Sequence, residues 1–139
     1  MANAQETRII IAGSRHITDY QVLKNVMNRI FRDRNTRNLT VISGTAAGAD
    51  QLGEEFAKRN QLKLCRFPAD WETYGRAAGP KRNEEMARFA VSDRSEGILV
   101  ALWDGKSPGT KNMISTAKKY GLETHVIHVG TNNRKGEGT

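Results

Sequence analysis

The residues best suited to handle an anion fall in a few short stretches. They are Gly13-Ser14-Arg15-His16, Ser43-Gly44-Thr45-Ala46-Ala47-Gly48-Ala49-Asp50, Asp70-Trp71, Arg82-Asn83, and Asp104-Gly105-Lys106-Ser107-Pro108-Gly109-Thr110-Lys111. Glycine lets a backbone turn sharply and approach a ligand with no Cβ in the way. A helix that starts just after such a turn points free N–H groups at the same spot. Arg15, Arg82, Lys106 and Lys111 add cations, each worth about 1.5–3 kcal/mol in a charge-assisted hydrogen bond. The side chains, more than the helix dipoles at about 0.3–1 kcal/mol, are therefore expected to set affinity. Asp50 and Asp104 could accept from ligand hydroxyls. Gly105-Lys106-Ser107 spells the end of a Walker phosphate loop, but that pattern needs a glycine where Val100 stands. The Walker reading fails, and the stretch is read as a different anion cradle.

These stretches follow short apolar runs, which suggests how they are positioned. Arg8 to Gly13, Leu39 to Gly44, Leu62 to Phe67, Gly97 to Trp103 and Thr124 to Val129 read as strands. Between them lie helical patterns over Asp19–Asp33, with Thr18 or Asp19 as cap, Gly48–Asn60, Pro80 through Ala90, and Lys111–Tyr120. A long connection runs from Ala69 to Gly79. Strands alternating with helices predict an α/β, Rossmann-like doubly wound sheet of about five parallel strands, with helices on both faces. An α+β mixture with one antiparallel strand is the alternative. In the doubly wound case ligands sit beyond the carboxyl ends of the strands, where the strand order reverses, and the stretches above all fall there. A single domain over 8–130 is expected, with flexible tails at 1–7 and 131–139.

Composition narrows the functional classes. The chain has 139 residues and a net charge of +7, which favours anionic partners, but no dense polybasic run. One cysteine, Cys65, excludes an intrachain disulfide and is expected to be an inert buried thiol. His16, His125 and His128 lack metal-ligand spacing, so no intrinsic metal or cofactor is expected; Mg²⁺ would enter only with a phosphate ligand. No apolar stretch approaches the roughly 20 residues that span a bilayer, and no signal-peptide core opens the chain, so a cytoplasmic protein is expected. Trp71 and Tyr74 are read either as base-stacking platforms or as closures of the core edge, and Trp103 as core. Glu84 and Glu85, in the first turns of a helix, read by default as complements to its dipole.

The stretches above, extended by Ala78-Gly79-Pro80-Lys81-Arg82-Asn83-Glu84-Glu85-Met86, resemble in order the YspA/YpsA-related branch of the SLOG superfamily, over about Arg8 to Val129. The resemblance implies a bacterial or phage protein with a Rossmann-like sheet holding a nucleotide-derived ligand, ADP-ribose-like or cyclic, as a sensor or sequestering module. The ligand-binding residues it implies are Gly13, Ser14, Arg15, Ser43, Gly44, Asp50, Asp70, Trp71, Arg82, Asn83, Asp104, Gly105, Lys106, Gly109, Thr110 and Lys111. Similarity to the LOG phosphoribohydrolases implies a nucleotide N-glycosidase as the alternative. Arg82 and Gly109-Thr110 match that family's motifs, but its glutamate falls on Met113, leaving Arg82, Glu84, Glu85 and Asp70 as catalytic candidates. Similarity to DprA proteins implies single-stranded DNA binding as a third reading. A homo-oligomer, a dimer, is expected in each case.

Overall fold

The computed structural model describes residues 5–34 and 38–130. Residues 1–4 and 131–139 of the expected tails lie outside the described residues.

Five all-parallel strands form one sheet: β1 (Thr7–Gly13), β2 (Leu39–Ser43), β3 (Lys63–Arg66), β4 (Glu96–Trp103) and β5 (Glu123–His128), in the order β3-β2-β1-β4-β5. Parallel pairing demands a crossover after each strand. The crossovers carry α1 (Tyr20–Ile30), α2 (Ala49–Arg59), α4 (Ala78–Val91) and α5 (Pro108–Lys119). Alternation along the strands divides the core into two layers. Ile9, Ile11, Val41, Ile98, Val100 and Leu102 face Leu23, Val26, Met27, Leu52 and Ala57 of α1 and α2. Ile10, Ile42, Leu99 and Ala101 face Met86, Ala87, Ala90, Met113 and Ala117 of α4 and α5. β1 and β4 are buried on both sides, which is why Arg8 to Gly13 and Gly97 to Trp103 read as continuous apolar runs. The chain reverses direction across the sheet between β1 and β4, so their carboxyl ends flank the crevice.

The element boundaries differ from the sequence expectations in ways that matter for the site. The 69–79 connection is not open loop: it contains a short helix, α3 (Trp71–Tyr74), and a single 3-10 turn, Gly75–Ala77. α4 then starts at Ala78, ahead of Pro80, so its first turn has no acidic residue and Glu84 and Glu85 lie beyond it. α5 starts at Pro108, a favoured first helical residue, rather than at Lys111. α1 is capped by Asp19, whose side chain accepts from the Gln21 amide at 3.0 Å. Cys65 is only half-buried, because β3 is an edge strand. At the other end of β1, Thr7 already belongs to the strand, and Glu6 is held by Arg8 (2.9 Å) and Thr40 (2.6 Å). Among the described residues no helix is long and apolar enough to cross a membrane.

Ile98, on the inner strand β4, has no exposed surface. Ile98→Ala is expected to cost about 2–5 kcal/mol through lost transfer energy and the cavity left behind. Urea denaturation monitored by circular dichroism would measure it, and a loss under 1 kcal/mol would contradict the packing described.

Candidate functional site

The carboxyl ends of β1, β2 and β4 open into a cleft of about 960 Å³. Its geometry follows from three local arrangements.

The first surrounds Gly44, just after β2. A Cβ there would stand 2.7 Å from Arg82 Nη1 and 2.8 Å from Asp50 Oδ2, so any side chain would displace the two charged groups from these positions. Arg82 enters from α4, donating through Nη1 to the Gly44 carbonyl and through Nε to Asn83 Oδ1 at 3.0 Å. Asp50, on the first turn of α2, accepts from the Ala46 amide at 3.1 Å and is only 5% exposed. Burial pushes its carboxyl up to about 6, against the pull of the Ala46 amide, the Arg82 charge and the Gly13 amide. Burial lowers the Arg82 guanidinium from its ordinary range, and the Asp50 charge opposes that shift.

The second arrangement is the turn after β1. The Ser14 amide donates to the Leu102 carbonyl at 2.9 Å, and the Gly13 amide is directed at Asp50. The Arg15 and His16 amides of this turn have no backbone partner among the described residues. Gly48 is more tightly constrained than Gly44: its φ is +77° and a Cβ would stand 2.2 Å from the Arg15 carbonyl oxygen, a backbone atom.

The third is the loop after β4. Asp104 Oδ1 accepts from the amides of Lys106 and Ser107, both at 2.8 Å, and Ser107 Oγ is within reach of Asp104 and of Ser14 Oγ (2.9 Å). The Ser107 and Lys106 amides hold the Asp104 carboxyl down at about 2. Trp103 Nε1 donates to the Ser107 carbonyl at 3.1 Å, fixing the turn from the strand side. Ser107 is therefore occupied and does not cap α5 with its side chain. The Lys111 amide bonds to Ser107 O at 3.1 Å, while the Gly109 and Thr110 amides have no partner among the described residues.

The cleft brings together Gly13, Ser14, Arg15, Gly44, Asp50, Trp71, Arg82, Asn83, Asp104, Gly109 and Thr110. Ser43, Asp70, Gly105, Lys106 and Lys111 do not line it. Ser43 is fully buried, its hydroxyl donating to Glu54 at 2.8 Å. Asp70 caps α3 by accepting from the Thr73 amide at 3.1 Å. Glu84 meets Lys119 (3.2 Å) and Tyr120 (3.0 Å), whose hydrogen bonds lower its carboxyl, and Glu85 is exposed away from the cleft. None of the three carboxylates named as catalytic candidates thus lines the cleft; Arg82 does. Asp104 lines it but is engaged by the amides and hydroxyl of its own loop, whereas Asp50, held by the Ala46 amide, is the carboxyl that lines the cleft beside Arg82.

The cleft is also lined by His16, Arg76, Ser107 and Asn112, which the expected set of binding residues omits. His16 and Ser107 stand inside the quoted strand-end stretches, whereas Arg76 and Asn112 lie outside them. Asn112 stands three residues after Gly109 on the same helical face, a relation hidden while the helix was expected to start at Lys111.

A model of the YspA, cpYpsA-related SLOG family matches residues 7–74, from β1 through α3. The Gene 61 protein of Mycobacterium phage D29 is 31% identical over 128 residues, covering 88% of this chain and 96% of that protein. The chain belongs to the YspA, cpYpsA-related SLOG family.

The raised carboxyl of Asp50 makes a signed prediction about stability. Between about pH 4 and pH 6 the folded state keeps a proton that the unfolded chain has lost, so this group lowers stability as pH rises through that window. Relative to Asp50→Asn, the wild type should lose on the order of 3 kcal/mol across it. Paired urea titrations at several pH values would test this, and a pH-independent difference between the two proteins would refute it.

Proposed function

We propose that the cleft binds a phosphorylated nucleotide derivative, ADP-ribose-like or cyclic, and that the protein acts as a sensor or sequestering module. The observation that carries this reading is Arg82. Two of its donor positions are fixed by Asn83 and Gly44, so the guanidinium is pre-oriented, and the rest of its fork is left for a ligand in the same cleft as the free Gly109 and Thr110 amides. Fixing the fork in advance reduces the side-chain entropy lost on binding, and guanidinium geometry matches a phosphoryl group. Arg15 and Arg76 raise the local positive potential further. Trp71, 55% exposed at the rim, offers a face for the base. On this reading Mg²⁺ enters only in company with the phosphate.

A second reading, hydrolysis of an N-glycosidic bond, is favoured by one observation: Asp50 lines the cleft beside Arg82 with a carboxyl that titrates near neutrality. At pH 7 a group titrating at about 6 is mostly ionised. Its fitting role is then to stabilise the positive charge developing on the sugar or to activate water, rather than to protonate the leaving base. Met113, almost completely buried, supplies no such group.

Isothermal titration with ADP-ribose, nucleoside monophosphates and cyclic nucleotides, combined with mass spectrometry of the solution, separates the two. Arg82→Ala is expected to weaken binding about 10- to 150-fold, from the loss of a charge-assisted hydrogen bond. Unchanged affinity in a variant that melts like wild type would sink the assignment. Trp71→Ala should weaken base-bearing ligands about 10-fold, in the range of one stacked base, and leave ribose 5-phosphate untouched. Free base and ribose phosphate in solution, lost in Asp50→Asn, would replace the binding reading by the hydrolytic one.

A further inference from the structure

Arg82, Asn83 and Asn112 form a hydrogen-bond chain from α4 to α5, and its chemistry runs in one direction only. An arginine Nε–H can donate but never accept. The Asn83 atom that meets it at 3.0 Å must therefore be the carbonyl Oδ1, which leaves Asn83 Nδ2 as a donor. That group reaches Asn112 Oδ1 at 2.8 Å. Asn83 is only 5% exposed, so its amide has no room to exchange this orientation for one satisfied by water, and the orientation of Asn112 follows from it. Asn112 is thereby left with its Nδ2 group unshared among the described residues, on the lining of the cleft.

We propose that Asn112 is a specificity-determining residue that presents only a donor, and so takes only a hydrogen-bond acceptor of the ligand, with Asn83 as the positioning residue that imposes this polarity. The proposal rests on the reading of the cleft as a site for a phosphorylated nucleotide derivative. Proximity to Arg82 makes a phosphoryl oxygen the favoured acceptor; a carbonyl or ring nitrogen of the base presents the same chemistry. A sugar hydroxyl, which can also donate, would need no such fixed polarity.

Two measurements test it, one without ligand. In side-chain amide NMR of the free protein, the Asn83 amide protons should exchange slowly and those of Asn112 rapidly. In Asn83→Asp the introduced carboxylate accepts from both sides, so the Asn112 amide should turn inward and become protected. Protection of Asn112 already in the wild type, or no change in the variant, would overturn the relay. In titrations with ADP-ribose and ribose 5-phosphate, Asn112→Ala should lose about 5- to 10-fold, one hydrogen bond's worth. Asn112→Asp should lose at least a further 10-fold by opposing an acceptor. Loss with both probes assigns the acceptor to the ribose-phosphate unit they share, and loss with ADP-ribose alone assigns it to the part that ribose 5-phosphate lacks. Wild-type-like binding by Asn112→Asp would mean that a ligand donor lies there, and would refute the proposal. If neither probe binds wild-type protein, the ligand class falls, while the exchange pattern still decides the imposed polarity of Asn112.

Discussion

The cleft depends on Ser14. This residue is almost fully buried at the point where the sheet changes direction, and it bonds to β4, to the start of α2 and to the loop that precedes α5. Its amide donates to Leu102 of β4, and its carbonyl accepts from Ala49 at the start of α2 and from Ile17 (both 3.3 Å). Its hydroxyl accepts from the Asp104 amide at 3.1 Å and meets Ser107 Oγ. Parallel strands diverge beyond a switch point, and a crevice opens there whatever the sequence. What turns the crevice into a shaped site is that one small polar side chain ties its two walls together. A larger residue would fill the gap, and an apolar one would leave the Asp104 amide without its acceptor.

Two aspartates in this cleft show how environment divides labour between identical groups. Asp104 accepts several hydrogen bonds from its own loop and is held ionised down to about pH 2. Asp50 is buried with fewer donors, and its carboxyl rises to about 6. Hydrogen bonds to the charged form win in the first case and desolvation wins in the second. The Arg82 charge offsets part of the second cost, and the interaction works in both directions, since a buried guanidinium also needs a counter-charge. The same pair keeps Gly44 free of a side chain. Charge placement and backbone shape are therefore one constraint here, not two.

The sequence made the sheet legible because β1 and β4 are buried on both faces and so appear as unbroken apolar runs. The strand-end stretches were equally legible, since glycines and charges there interrupt those runs at matching positions. Boundaries were less so. Pro80 suggested a helix start but lies inside α4, and α5 begins at Pro108, where two glycines nearby, Gly105 and Gly109, read as loop. The role of each carboxylate was not legible at all. Glu84 and Asp70 were plausible as site residues by type alone. Only packing shows that one turns to Lys119 and the other caps a four-residue helix. The Asn83–Asn112 contact joins positions that no local pattern connects, because it exists only where α4 lies against α5.

The Gly105-Lys106-Ser107 triplet shows why letters and site can part company. In a phosphate loop the amides of such a stretch would converge on the ligand's anion. Here the Lys106 and Ser107 amides converge on Asp104, a carboxylate of the same chain. The nest is already filled by an internal anion, and Gly105, at a φ of +84°, provides the turn that closes it. A ligand's negative charge brought to the same amides would meet the Asp104 charge instead of a vacancy. The available donors therefore lie one turn further on, at Gly109 and Thr110, with Arg82 on the neighbouring helix of the same wall. On the proposed reading, an anion held at the start of the helix rather than in the loop lies beside the α4–α5 contact made by Asn83 and Asn112.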